Sequence, residues 1–148
     1  MAKKKVKPIP KGYRSVTASI NAPDAKALIA FCKKAFGGKL RAAMPGTDGK
    51  LMHAEVEIGD SILMLSDAVM EPARPANVFL YVPNVDKTFA KAVKAGAKPL
   101  MPVADQFWGD RHGRVEDSWG NRWSLATHVE DVTPKQLKKR MAGLKPSG

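Results

Sequence analysis

The chain repeats its own pattern at a spacing of 60 residues. Residues 17–23 align with residues 77–83, and each segment is a short alternating run that ends at a proline. Further along, residues 63–65 align with residues 123–125. A repeat of this length, carried by pattern more than by identity, predicts two copies of one supersecondary unit. Equivalent positions in the two copies can therefore be compared directly.

Hydrophobic periodicity divides each copy into one helix and four strands. In the first copy we predict strands at residues 15–21, 39–44, 51–58 and 61–66 and a helix at 23–36. In the second we predict strands at 77–82, 98–103, 112–117 and 121–127, a helix at 85–95 and a loop at 104–111. The order βαβββ in each copy predicts an α/β fold of the α+β kind, in which two units form cupped mixed sheets.

The basic charge of the chain lies at its two ends. The net charge is +11, but residues 15–133 carry 14 basic and 14 acidic groups and are neutral. We therefore predict one domain at 13–132, with units at 13–66 and 77–128, between a disordered basic tail at 1–12 and a short helix with a basic tail at 133–148. Because a nucleic-acid-binding domain normally carries its cations on the folded surface, no specific nucleic-acid partner is expected. Weak contact of the tails with RNA or anionic lipid stays open as an alternative.

Cysteine content and hydropathy favour a cytoplasmic protein. Cys32 is the only cysteine, which excludes an intrachain disulfide and a cysteine-based zinc site and suits a reducing compartment. No apolar stretch approaches the roughly 18 residues of a membrane span, so no membrane partner is expected. The basic start of the chain is followed by an alternating segment rather than an apolar signal core, so we expect no secretory signal.

Strand alternation assigns two kinds of surface to each sheet. One set of strand residues is uniformly apolar and should face the helices; it includes Val16, Ile20, Val56, Val115 and Trp123. The opposite set mixes polar and aromatic side chains: Thr17, Ser19, His53, Glu55, Glu57, Met64, Asn77, Phe79, Tyr81, Arg114, Glu116, Arg122 and Ser124. Apolar walls with a few polar groups are what a small-molecule cavity needs, so this second face is the predicted ligand site.

Two groups of residues could do chemistry on that face. His53 and Glu55 stand two apart on one strand and could act as an acid/base pair, or could simply hydrogen-bond each other. Arg114 and Glu116 on the related strand could likewise form only an ion pair. A metal held by His53, Glu55 and His112 is a weaker alternative, because the spacing is not typical of a metal site.

The loop of the second copy concentrates aromatic side chains. Phe107 and Trp108 precede Arg111, whose guanidinium could bind an anion such as a carboxylate in bidentate fashion. Trp108 should be covered by a ligand or by a dimer partner, since a large exposed ring is costly. An ion pair of Arg111 with Asp105 or Asp110 is the competing interpretation.

Several segments together resemble the glyoxalase, bleomycin-resistance and extradiol-dioxygenase family, also called the vicinal oxygen chelate fold. The resemblance rests on residues 21–24 leading into the helix that ends at residues 31–37, on the strand at 53–56, and on residues 116–125. It covers about residues 13–128. Residues 107–113 are similar to a bacterial branch of that family. The resemblance implies a glyoxalase-like fold, and it does not by itself imply a reaction.

The resemblance also assigns the positions at which metal-dependent members hold their ion. These positions fall here on Thr17, Met64, Asn77 and Ser124, and the 60-residue repeat pairs the same residues with one another. Hydroxyl, thioether and neutral amide groups bring no charge and are weak ligands for a divalent cation. The resemblance therefore implies no metal and no cofactor at the usual site.

The leading functional hypothesis is metal-independent binding of a small, partly aromatic organic molecule, with sequestration of a drug or metabolite as the role that the bleomycin-resistance branch implies. A homodimer is expected. Three alternatives remain: a metal-dependent lyase, isomerase or dioxygenase, a metal-free acid/base enzyme using His53 and Glu55, and an interaction protein that acts through its basic tails.

Overall fold

The chain folds as two units with the same order of elements. The computed structural model describes residues 4–144, and the chain divides between Pro75 and Ala76. The first unit contains β1 (Ser19–Ala22), α1 (Ala25–Phe36), β2 (Lys39–Pro45), β3 (Leu51–Ile58) and β4 (Ser61–Asp67). The second contains β5 (Asn77–Tyr81), α2 (Val85–Lys94), β6 (Lys98–Asp105), β7 (Asp110–Glu116), β8 (Arg122–His128) and α3 (Pro134–Ala142).

Each unit builds one four-stranded mixed sheet. The strand orders are β1-β4-β3-β2 and β5-β8-β7-β6, with the first strand parallel to the last and the other pairs antiparallel. The pairing of Ser19 with Met64 corresponds to the pairing of Phe79 with Ser124, again 60 residues apart. The predicted fold class, α+β with two βαβββ units, is confirmed.

The helix starts show why the repeat holds at the level of hydrogen bonds. Asp24 caps α1 by accepting from the Ala27 amide at 3.0 Å, and Asn84 caps α2 in the same way at 3.2 Å. One residue later, the first amide of each helix donates to a side chain at the end of the parallel strand, Asp67 in one unit and Thr127 in the other. Each donor would otherwise have no partner within its helix.

The core of each unit lies between its sheet and its helix. In the first unit Ile20, Val56 and Leu65 are at most 2% exposed, and they pack beneath the buried face of α1. In the second unit Val115, Trp123 and Leu125 are fully buried. The prediction that Trp123 is a core residue is confirmed.

Two boundaries differ from the sequence prediction. β1 begins at Ser19 rather than at residue 15, and Val16, which was expected in the core, is 88% exposed. The hydrogen bonds to β4 start only at the Ala18 carbonyl. The residues before Ala18 are therefore not part of the sheet, and their alternating pattern does not assign them to one of its faces. The predicted loop at 104–111 is also wrong: β6 and β7 form a hairpin with a short connection at residues 106–109.

No helix within residues 4–144 combines the length and the apolar character that a bilayer crossing requires. The termini predicted as basic tails lie partly outside the described residues, and their extent stays a prediction.

Candidate functional site

The face of the second sheet that points away from α2 carries an aromatic cluster. Phe79 and Tyr81 on β5 have their ring centroids 5.0 Å apart, and the two residues are 50% and 60% exposed. The Phe79 ring stacks on the ring of His112 of β7, with centroids 5.6 Å apart. The Trp108 ring meets the same imidazole edge-on, with centroids 5.8 Å apart. The two aromatic residues predicted on β5 therefore lie together, with Trp108 on the same histidine. We call Phe79, Tyr81, Trp108 and His112 the aromatic cluster.

A buried carboxylate fixes one side of this cluster. Asp110 begins β7 and is 1% exposed. Its Oδ2 atom accepts hydrogen bonds from the Tyr81 hydroxyl at 2.8 Å and from the Trp108 indole N–H at 2.9 Å. Its Oδ1 atom lies 2.9 Å from Nδ1 of His128, whose Nε2 is 2.7 Å from Asp131. The cluster is therefore positioned by one carboxylate that joins β5, β7 and β8.

The charges follow from these contacts. Burial opposes ionisation of Asp110, but the hydrogen bonds from His128, Tyr81 and Trp108 outweigh it and lower its pKa. The hydrogen bond to Asp110 raises the pKa of Tyr81, and burial adds to the rise. The two carboxylates, Asp131 first and Asp110 second, raise the pKa of His128. The arrangement is an ionised carboxylate facing a histidine that readily takes a proton.

His112 has a different environment. It is 4% exposed, and neither of its ring nitrogens has a hydrogen-bond partner in the described part of the chain. Burial lowers its pKa, and the positive charge of Arg114 lowers it further, although Asp110 acts in the opposite direction. The imidazole is therefore held neutral among aromatic rings.

Polar residues predicted on the same face line a cavity of about 300 Å³ beside the cluster. Arg114 donates from Nε to the Ser124 hydroxyl at 3.3 Å, and Asn77 and Phe79 also line the cavity. Glu116 faces Arg122 at 3.6 Å rather than Arg114. The structure thus brings Asn77, Phe79, Arg114 and Ser124 together, as alternation predicted.

Arg111 lies elsewhere. Its Nε and Nη2 atoms donate to the carboxylate of Asp86 on α2, each at 2.9 Å, and Nη1 donates to Asp105 at 3.2 Å. Alternation along β7 gives Arg111 the helix-facing parity of Val115, opposite to His112. The ion pair that was the competing interpretation is present, with Asp86 as an unforeseen second partner. The use of Arg111 as an anion site stays a prediction.

The connection between β6 and β7 positions Phe107 and Trp108. Their rings meet edge-on with centroids 5.1 Å apart, and the Phe107 carbonyl accepts from Arg140 of α3 at 2.9 Å. Trp108 is half-buried by its own unit, because Asp110 holds its indole nitrogen. The side chain is oriented before any ligand or partner reaches it.

The first unit has its own cavity, of about 550 Å³. It brings together four residues predicted from sequence: Thr17, His53, Glu55 and Met64. Nε2 of His53 lies 3.8 Å from Glu55, and the two side chains are 38% and 17% exposed. The N-terminal segment, including Tyr13, forms the rest of the wall. The predicted acid/base pair is therefore a close pair inside a cavity.

The four positions that the resemblance assigned to a metal do not suit one. Thr17 and Met64 line the first cavity, and Asn77 and Ser124 line the second. All four side chains are uncharged. Three of them offer a hydroxyl or amide oxygen, which is a weak ligand for a divalent cation, and Met64 offers a soft thioether. Within residues 4–144, no three His, Cys, Asp or Glu side chains are grouped so that they could hold a metal ion.

Sequence reasoning missed Asp110 and His128 as partners in this site. Asp110 lies in the predicted loop at 104–111, because the strand was predicted to start at residue 112, and His128 lies one residue past the predicted strand at 121–127. Extending the alternation back by one pair from Arg114 and His112 would have placed Asp110 on the same face.

Solved structures with the same architecture come from several bacteria. TioX from Micromonospora sp. ML1 superposes with a TM-score of 0.68 at 24% identity, over 78% of this chain and 99% of that chain. TnmS3, an antibiotic binding protein from Streptomyces sp. CB03234, superposes with a TM-score of 0.62 at 22% identity, over 79% of this chain and 100% of that chain. At these identities the likeness shows the fold, which is glyoxalase-like as predicted.

The family follows from the sequence comparison. Residues 14–125 match the family model described as Glyoxalase/Bleomycin resistance protein/Dioxygenase superfamily. An uncharacterized protein of Mycobacterium tuberculosis H37Rv is 37% identical over 131 residues, covering 80% of this chain and 77% of that protein. A protein of Mycobacterium bovis is also 37% identical over 131 residues, covering 86% of its own length. The chain belongs to the Glyoxalase/Bleomycin resistance protein/Dioxygenase superfamily.

Proposed function

We propose that this protein binds a small, partly aromatic organic molecule on the open face of its second sheet, without a metal, and so sequesters a drug or metabolite. The observation that carries the proposal is the exposure of Phe79 and Tyr81 beside the cavity lined by Arg114 and Ser124. Two neighbouring aromatic side chains supply apolar contact, and the polar wall supplies orientation. The fold shared with TnmS3, whose name describes antibiotic binding, supports the same class of role.

The orientation of the rings supports binding more than catalysis. The indole N–H of Trp108 and the hydroxyl of Tyr81 both donate to Asp110, so both rings are fixed before a ligand arrives. A preorganised aromatic surface loses little side-chain entropy when a ligand stacks on it. Metal independence rests on the uncharged donors at Thr17, Asn77 and Ser124.

The test has two parts. Native mass spectrometry of the protein as purified should show any molecule that accompanies it, and equilibrium dialysis with 1-naphthol should measure binding of a simple aromatic probe. Phe79→Ala should weaken binding about tenfold, which corresponds to about 1.4 kcal/mol of lost stacking. Tyr13→Ala is the matched control, because Tyr13 lines the cavity of the first unit, and it should leave the affinity within about twofold. A loss confined to Tyr13→Ala would move the site to the first unit.

Metal independence has its own measurement. Protein purified without chelator should contain far less than one equivalent of zinc, nickel, manganese or iron, and chelation should change neither its melting temperature nor probe affinity. Stoichiometric metal would contradict this part of the proposal.

A metal-free acid/base enzyme is the second candidate, and one observation favours it. His53 and Glu55 lie 3.8 Å apart within a cavity of about 550 Å³, which is large enough for a small substrate. A turnover screen of carbonyl compounds, with His53→Ala as the control, tests it. Activity that survives His53→Ala would reject this pair.

The homodimer and the cytoplasmic location are also proposals. The exposure of Phe79 and Tyr81 fits a surface that a second protomer could cover, and a lone cysteine suits a reducing compartment. Light scattering with and without 1-naphthol distinguishes a dimer that competes with the ligand from one that leaves the site open.

A further inference from the structure

His112 is the polar group of the aromatic cluster whose hydrogen-bonding capacity is unused. The donors of Tyr81 and Trp108 are committed to Asp110. Both ring nitrogens of His112, in contrast, have no hydrogen-bond partner among residues 4–144, although the residue is only 4% exposed. A buried polar atom without a hydrogen-bond partner lowers the stability of the protein. A ligand group that formed this hydrogen bond would therefore gain binding free energy.

The side chain that covers His112 lies at the open edge of the sheet. Phe79 stacks on His112 with an interplanar angle of 12°, but it is half exposed and stands on β5, at the edge of the sheet. Because the residue is already half exposed, we expect its ring to turn outward and stack on the outer face of a bound ligand. A planar aromatic ligand packed against the turned Phe79 ring would bring its polar substituent to the edge of the imidazole, where the two nitrogens lie.

We propose that His112 is the hydrogen-bonding anchor of the ligand site and that the ligand is a planar aromatic molecule carrying an uncharged hydroxyl or carbonyl group. This inference rests on the proposed function and names its ligand class. A neutral imidazole offers one donor and one acceptor, which match a phenolic hydroxyl or a ring carbonyl. The positive charge of Arg114 and the negative charge of Asp110 act on His112 in opposite directions. Neither a cationic nor an anionic ligand group is therefore favoured there, and an uncharged group fits best.

Two probes of similar size separate the anchor from the aromatic surface. Equilibrium dialysis should compare 1-naphthol with 1-methylnaphthalene, which replaces the hydroxyl by a methyl group. The wild-type protein should prefer 1-naphthol by about tenfold, because only the hydroxyl can pair with His112. In His112→Phe the preference should fall below about twofold while 1-methylnaphthalene binds as before. His53→Phe is the matched control and should keep the wild-type preference.

A second variant and a second readout guard against simple misfolding. His112→Gln retains a donor and an acceptor and should recover part of the preference for 1-naphthol. In the wild type, the ¹⁵N resonances of the His112 ring should shift with 1-naphthol and remain unchanged with 1-methylnaphthalene.

The outcomes are distinguishable. Equal binding of the two probes by the wild type, or a preference that persists in His112→Phe, would overturn the anchor and leave the proposed function standing. Binding of neither probe would contradict both for this class of ligand. A naphthol preference lost in His53→Phe would place the anchor in the first unit and overturn the assignment to His112.

Discussion

His53 and His112 occupy equivalent positions in the two units, yet their surroundings are opposite. His53 precedes Ala54, which pairs with Leu65 of β4. His112 precedes Gly113, which pairs with Leu125 of β8. His53 is partly exposed beside Glu55, whereas His112 is buried without a polar partner in the described part of the chain. The same backbone frame therefore places the same residue type in two different environments.

One cause of the difference lies on the edge strand of each sheet, which is separated from the histidine's strand by one other strand. Phe79 of β5 stacks over His112, and the equivalent residue of β1 is Ser19, which is too small to cover His53. The next open-face position is Tyr81 in the second unit and Asn21 in the first. The helix-facing residues of both units remain apolar, so the two open faces could diverge without disturbing either core.

The largest expected contrast lies in the turns that join the last two strands. Asp117 is 5% exposed and accepts hydrogen bonds from Trp119, from the amide and side chain of Asn121, and from the Trp123 indole. Asp117→Ala should cost about 3 kcal/mol, because buried donors lose their acceptor. Asp60→Ala, in the exposed turn of the first unit, should cost less than about 0.5 kcal/mol. Urea unfolding measures both, and similar losses would mean that the two turns are not differently anchored.

A smaller contrast concerns pH and sits within the second unit. His112 has a lowered pKa, so its contribution is present above its unfolded value of about 6.5 and is lost as pH falls through the folded value. His128 has a raised pKa, so its contribution is present below about 6.5 and is lost as pH rises through the folded value. Relative to wild type, His112→Phe should therefore gain thermal stability on acidification, and His128→Asn should lose it. Melting temperatures between about pH 5 and pH 8 measure both changes, and parallel shifts would disprove the opposed roles.

Exchanging the covering residue should move the second unit toward the first. Phe79→Ser places the residue of β1 at the equivalent position of β5 and exposes His112 to water. Its pKa should rise toward the ordinary histidine value, because burial is the main cause of the lowering. The lost ring stack should cost about 1 kcal/mol. NMR titration of the ring gives the pKa, and an unchanged value would show that Phe79 does not control the burial of His112.

The smallest effect is expected where the first strands differ in length. β5 begins at Asn77, whereas β1 begins two equivalent positions later, at Ser19. Val16 is 88% exposed, so Val16→Ala should change the free energy of unfolding by less than about 0.5 kcal/mol. Ile20→Val, at a position that is 2% exposed, should cost about 1 kcal/mol. A larger loss of unfolding free energy in Val16→Ala would indicate that β1 extends upstream of Ser19, as alternation predicted.

Much of the fold could be predicted because its signals are local. The 60-residue repeat predicts the order of elements in both units, and the alternation of β3 and β8 agrees with the observed strands. Alternation also assigned Phe79 and Tyr81 to the open face. The end of a strand is less accessible to such reasoning, because it depends on where a partner strand begins, as Val16 shows.

The sequence by itself determined two βαβββ units, their apolar helix-facing cores and the residue types of the open faces, because alternation and turn residues act over a few positions. Only the tertiary structure decided which of these residues meet. The carboxylate of Asp110 joins three strands, Arg111 turns toward Asp86, and Phe79 rather than a polar group covers His112. These contacts depend on strand register and side-chain packing between segments distant in the chain, which no local pattern encodes.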